Sequence, residues 1–331
     1  MTIQLTIIGL GQTGASIGLV LQEQKGKILR TGLDRSGEIT TKALKMGAID
    51  RGARTIAEAV KDADVIVLTT PVDELKETLE IIGPMLREGA VVVDTSPLKI
   101  QAAAWAQEFL PAGRHFIGMT PTFNPAHFHE TKTGLDAAHS DLFDNSLMIV
   151  ASFPDTHPDA VKLVSDLSQL LHSQVLFADP HEADGLSAAS DLLPKLTAAA
   201  LVHTVQSQPA WREGRKFAGP AYASATEPVL SLNENETPGI TTLANSDNCL
   251  RVLDDLITAL TELRTVIAEQ DAEALTKILD KARQDRRDWG AQRVRADWDK
   301  IDSVQTLSAS EAISGIFGFR RKAKEKTRNR R

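Results

Sequence analysis

Residues 3–18 read IQLTIIGLGQTGASIG. A six-residue apolar run rich in β-branched side chains predicts a buried strand. It breaks at Gly9, Gly11 and Gly14 into a helix-compatible stretch that reaches Gln24. A GxGxxG pattern is weak alone but informative between a strand and a helix. Gly9 permits the tight turn, Gly11 lets backbone approach a pyrophosphate, and Gly14 lets helix and strand pack closely. The turn Gly9, Leu10, Gly11, Gln12, Thr13, Gly14 thus presents a helix N-terminus to negative charge, the arrangement that binds dinucleotide phosphates. The alternative is a glycine-rich turn with no ligand. A second predicted strand ends in Asp34, about 20 residues past the last glycine, where a carboxylate accepts the adenosine ribose 2′-hydroxyl. That carboxylate favours NAD; Arg35 beside it leaves NADP open.

Outward from this turn, apolar strands alternate with helices. Strands are predicted over 28–33, 64–68, 90–93, 115–118, 147–151 and 174–177, and helices over 36–46, 74–86, 100–109 and 158–171. The alternation implies a parallel sheet covered on both faces. Thr69, Thr70 and Pro71 follow the strand run over 64–68 at a carboxyl edge, where such sheets contact ligands. Past Asp179 the pattern turns helical, with segments over 181–206, 248–269 and 271–287, a kink at Pro194, and an irregular connection over 213–240. The expected fold is α/β, a Rossmann-type doubly wound, mainly parallel sheet followed by an all-helical domain. The divisions are 1–180, 181–300, and a basic, disordered tail over 301–331.

The length of 331 residues supports two domains, and 42% hydrophobic with 24% charged residues is ordinary globular composition. Cys249 is the only cysteine, which excludes an intrachain disulfide and fits a reducing compartment, the cytoplasm. No signal peptide and no membrane span are read. The net charge of −7 is asymmetric: residues 320–331 hold eight Lys or Arg and one Glu, and the remainder holds 29 basic and 43 acidic residues. An acidic body argues against a nucleic-acid-binding fold.

Taken together, GLGQTGASIG, GLDR at 32–35, ADVIVLTTPV, VVVDTSPLK and DPHEAD at 179–184 resemble the prephenate/arogenate dehydrogenase family, over most of residues 1–300. The resemblance implies an NAD(P)-dependent oxidative decarboxylation in tyrosine biosynthesis, a carboxylate substrate and a homodimer formed by the helical domain. It also implies a histidine, in a Gly-x-His-Pro pattern, that helps remove the ring hydroxyl proton. Here the pattern reads Gly118, Met119, Thr120, Pro121, and Thr120 hydrogen-bonds but is no base near neutral pH. The serine that assists that histidine aligns with Pro97, leaving Asp94, Lys99 and a displaced Ser96, which is assigned to the cofactor side. Elsewhere the family's residues are replaced by Ala183 beside Asp184, by Leu192 and Lys195, and by Thr226 and Glu227 where a carboxylate-pairing arginine is expected.

Three groups stand in for the missing chemistry. Either His127 or His129, in FNPAHFHE after the strand over 115–118, supplies a base of near-neutral pKa, and Lys195 holds a substrate carboxylate or pairs with Asp191 one turn earlier. The HxHE run alone is too weak a ligand set to assign a metal. Two further readings keep the fold: hydride chemistry on another small hydroxy acid, and a dinucleotide-binding protein without turnover.

Overall fold

The computed structural model describes residues 2–153, 156–230, 238–296 and 298. The basic tail expected over 301–331 lies outside the described residues. The order is β1 (Ile3–Ile8), α1 (Gln12–Val20), β2 (Ile28–Leu33), α2 (Gly37–Met46), β3 (Arg51–Gly52), α3 (Ile56–Val60), β4 (Val65–Leu68) and α4 (Val72–Ile82). There follow β5 (Val91–Asp94), α5 (Lys99–Phe109), β6 (His115–Pro121), β7 (Leu147–Ala151), α6 (Pro158–Leu170) and β8 (Gln174–Ala178). The helical half holds α7 (Pro180–Ser187), α8 (Leu193–Gln206), α9 (Trp211–Gly214), α10 (Pro220–Leu230), α11 (Pro238–Ala244), α12 (Ser246–Ala268) and α13 (Ala272–Arg295).

The sheet runs β3-β2-β1-β4-β5-β6-β7-β8 and is parallel except between β6 and β7. That exception has a local cause: residues 122–146 return along the same edge as a loop with two 3-10 turns, with no crossover helix. Successive strand residues face opposite sides. Ile7, Val65, Val67, Val91 and Val93 join the core under α1 and α6, whereas Ile8, Ile66, Leu68 and Val92 join the core under α4 and α5. Because both faces are covered, these strands are apolar throughout, which is why they are readable as continuous runs.

One expectation is corrected. The connection over 213–240, expected to be irregular, holds the end of α9, all of α10 and the start of α11; Pro228 sits inside α10, and the Gly and Pro content hid the helix. The helix from α7 to α8 is expected to kink at Pro194, and its regular ladder is interrupted there. A π-helical turn over Ala188–Leu192 precedes the proline, whose ring and missing N–H disturb the i to i−4 ladder. The two halves are tied by buried polar contacts. Asp184 of α7 accepts the amides of Lys99 and Ile100 at 2.5 and 3.2 Å, capping α5 from the other domain. Arg293 of α13 donates to Phe123 O at 2.5 Å.

Candidate functional site: a dinucleotide cradle and the edge beside it

The glycine turn is shaped by its neighbour strand. Gly9 has φ +91°, and a Cβ there would lie 2.7 Å from the Thr69 carbonyl oxygen. A Cβ on Gly14 would collide with Gly9 O and lie 2.5 Å from Thr69 Oγ1. Thr69 locks the turn by donating its hydroxyl to Gly9 O at 2.6 Å. Gly11 differs: it is the N-cap of α1, and a Cβ there meets nothing within 4 Å. The space beside Gly11 is therefore open, and the unpaired first-turn amides of Gln12 and Thr13 belong to a helix end with no acidic side chain of its own. A pyrophosphate fits that cradle by shape and by charge.

Asp34, at the end of β2, accepts Leu10 N–H and Ser36 N–H, both at 2.9 Å. It thereby ties the glycine turn to the β2 edge. Each carboxylate oxygen keeps acceptor capacity for a ribose hydroxyl. Arg35 pairs with Glu74 on α4 at 3.0 Å, an exposed contact worth little energetically. Thr70 Oγ1 is buried and has no hydrogen-bond partner, an orphan that a ligand at this edge would satisfy. Pro71 is the N-cap of α4.

Beneath β6 lies a buried ionic knot. Lys99, 1% exposed, donates from Nζ to Asp94 O, Asp94 Oδ2 and Ser96 O at 3.0, 3.1 and 2.5 Å. Burial pulls its proton affinity down, and Asp94 opposes that shift. The Ser96 hydroxyl turns inward to Asp94 Oδ2 at 2.8 Å. Gly118 is required by the same knot, since a Cβ there would meet Lys99 Cδ at 2.5 Å. Thr120 donates its hydroxyl to Ser96 O at 3.3 Å, so the residue in the histidine position rests on this knot. Burial pushes the Asp184 carboxyl up, opposed by the amides it caps.

The loop after β6 brings together residues that the sequence did not connect. His127 Nε2 lies 2.9 Å from Asp141 Oδ1, and its ring stacks on His139 with centroids 4.1 Å apart. His139 Nε2 lies 2.8 Å from Glu130 Oε2, and its backbone N–H donates to Ser16 Oγ on α1 at 3.0 Å. The Glu130 carboxyl is held down to about 2, chiefly by the Lys132 amide and then by His139. His129 is exposed. His127, His139 and Asp141 offer ligand atoms within 4.8 Å of one another, three where a closed tetrahedral site needs four. Lys195 pairs with Asp191 at 3.0 Å, one turn away on the same rod. His139, Asp141 and Arg293 were missed by sequence reasoning, because a loop without periodicity carries no signal for which side chains meet.

Fold and cradle together define a two-domain, dinucleotide-binding protein of the Rossmann class. The family follows from comparison. "Prephenate dehydrogenase, nucleotide-binding domain" matches residues 17–176, and "Prephenate dehydrogenase, dimerization domain" matches residues 179–281. The chain belongs to the prephenate dehydrogenase family. It is similar to prephenate dehydrogenase of Bacillus subtilis, 28% identical over 286 residues, covering 86% of this chain and 75% of that one. It is also similar to cyclohexadienyl dehydrogenase of Zymomonas mobilis, 24% identical, covering 82% and 90%. In fold it resembles a solved prephenate dehydrogenase from A. aeolicus in complex with hydroxyphenyl propionate and NAD+. That likeness has a TM-score of 0.76 at 23% identity and covers 87% of this chain and 98% of that one.

The matched dimerisation domain leaves an apolar face open on the single chain. Leu250, Ile257, Leu260 and Ile267 of α12 are all more than half exposed, and their spacing places them on one side of the helix. Among the described residues no helix is long and apolar enough to cross a membrane.

Proposed function

We propose that this protein is an NAD-dependent dehydrogenase that oxidatively decarboxylates prephenate or arogenate, acting as a cytoplasmic homodimer. The observation that carries the reading is the open space at Gly11, bordered by the α1 N-terminus and by Asp34, in a chain that matches both domains of the family. When bound, NAD supplies the acceptor for a hydride from the ring carbinol carbon. The Gly9–Gly14 turn and the first amides of α1 hold the pyrophosphate, Asp34 holds the adenosine ribose, and Thr70 Oγ1 faces the cofactor side.

The substrate's hydroxyl proton must leave as hydride departs. The carbon–carboxylate bond then breaks, its electron pair completes the aromatic ring, CO2 leaves, and the phenolate takes a proton back. Thr120 can hold that hydroxyl through a hydrogen bond but cannot accept its proton near neutral pH. His127 takes the role of base, with Asp141 fixing its ring and stabilising its protonated form. The Asp34 carboxylate disfavours a 2′-phosphate, so NAD is preferred over NADP.

The test is turnover. The purified protein is mixed with NAD or NADP and with prephenate or arogenate, and reduced nicotinamide is followed by absorbance. Reduction is expected with NAD. His127→Ala is expected to lower kcat by about 100-fold or more, the range of a lost general base, without weakening NAD binding. An unchanged kcat in that variant would remove His127 from the mechanism.

A further inference from the structure

The last turn of α13 returns to the loop after β6 and places a guanidinium there. Arg293 is 7% exposed, and its Nη2 donates to Phe123 O at 2.5 Å. Its guanidinium carbon lies 5.3 Å from the Phe128 ring centroid and 5.0 Å from that of Trp298. Phe128 is held in turn by stacking on Trp289, with centroids 5.9 Å apart and planes 10° from parallel. The aromatic rings fix the guanidinium and can offset part of its desolvation, but they supply no anion.

Among the described residues no carboxylate pairs with Arg293, and burial pulls its pKa below the usual arginine value. A guanidinium carries five N–H donors in a planar fork, and one of them is used by Phe123 O. A buried cation that keeps donors in hand and, among the described residues, has no anion beside it is matched to a ligand that brings one. Its position is informative. Phe123 lies three residues beyond Thr120, at most about 11 Å of chain, at the carboxyl edge where sheets of this class meet ligands.

We propose that Arg293 binds a carboxylate of the substrate, and specifically the one that survives into the product. This rests on the dehydrogenase reading above. A strong grip on the departing carboxylate would stabilise charge that must be lost in the transition state, so catalysis disfavours it. A grip on the retained side-chain carboxylate orients the ring at no such cost. Arg293 lies on α13 beyond residue 281, where the match to the dimerization domain ends.

The test varies protein and ligand together, using full-length protein saturated with NAD. Calorimetric titration compares 3-(4-hydroxyphenyl)propionate with its primary amide. The wild-type protein is expected to prefer the acid by about 30-fold or more, the scale of a forked charge-assisted contact. Arg293→Gln is expected to abolish that preference while the amide binds within about threefold of its wild-type affinity, and Arg293→Lys to keep part of it. In turnover, Arg293→Gln raises KM more than it lowers kcat. Circular dichroism and sedimentation of both variants establish that fold and assembly are retained. If Arg293→Gln keeps the preference, or if acid and amide weaken equally, Arg293 is a structural tether and the proposal is overturned. If the wild-type protein binds neither ligand and turns over neither prephenate nor arogenate, the dehydrogenase reading falls, and this inference falls with it.

Discussion

Replacing Gly11 by Ala separates cofactor binding from folding more cleanly than any other change in the turn. Gly11 has φ −73° and ψ −161°, an extended conformation open to any L residue, and its added Cβ touches no protein atom within 4 Å. The fold therefore loses nothing, and the reduced freedom of the unfolded chain adds about 0.4–1 kcal/mol of stability. The same Cβ occupies the space through which a pyrophosphate approaches the α1 amides. Displacing the phosphate by a methyl group breaks at least one charge-assisted hydrogen bond, worth about 1.5–3 kcal/mol, so the Kd for NAD rises on the order of 10- to 150-fold. Gly14→Ala supplies the contrast, since its Cβ strikes Gly9 O and Thr69 Oγ1 and costs about 3 kcal/mol of stability. Urea unfolding and fluorescence titration with the reduced cofactor read the two effects separately. A Gly11→Ala protein that binds within about threefold of wild type would refute the placement of the pyrophosphate.

Asp34→Ser removes the carboxylate beside the adenosine ribose. The ratio of kcat/KM for NADP over NAD should rise on the order of tenfold, and an unchanged ratio would take Asp34 out of cofactor selection. Asp50 pairs with buried Arg30 at 2.7 Å; burial raises its pKa, but the Arg30 bonds and charge outweigh this and the net shift is downward. A depressed carboxyl stabilises the fold above its unfolded pKa of 3.8 and loses that contribution as pH falls through the lower folded value. Asp50→Asn should accordingly cost on the order of 3 kcal/mol in urea unfolding at pH 7, with the gap to wild type narrowing below pH 3.8; a gap independent of pH would contradict the pairing. Ile257→Asp puts a charge in the open face of α12 and should convert a dimer to monomers in sedimentation. A dimer that persists would place the interface elsewhere.

The sheet was legible because its strands are buried on both faces, so VIVL at 65–68 and VVVD at 91–94 needed no alternation to be recognised. Asp34 was legible for a related reason, since its distance from the glycine turn is set by one helix and one strand. The antiparallel β7 left no local trace, because strand direction depends on the connection before it. Residues 122–146 carry no periodic pattern, so nothing in the sequence says that His127 meets Asp141 or that His139 lies on Ser16. The helix over 220–230 was hidden by Gly219, Pro220 and Pro228, yet Pro220 opens that helix, a position where its missing N–H is harmless. Arg293 was invisible for another reason: its burial comes from the fold of α13 against a loop 170 residues earlier.

The central claim is that hydride loss and CO2 loss occur together on one substrate. The test supplies prephenate or arogenate labelled in the ring carboxylate together with NAD and measures reduced cofactor and labelled CO2 in the same reaction. One equivalent of each is expected at every time point. Reduced cofactor without labelled CO2, or NAD binding with no reduction on either substrate, would contradict it.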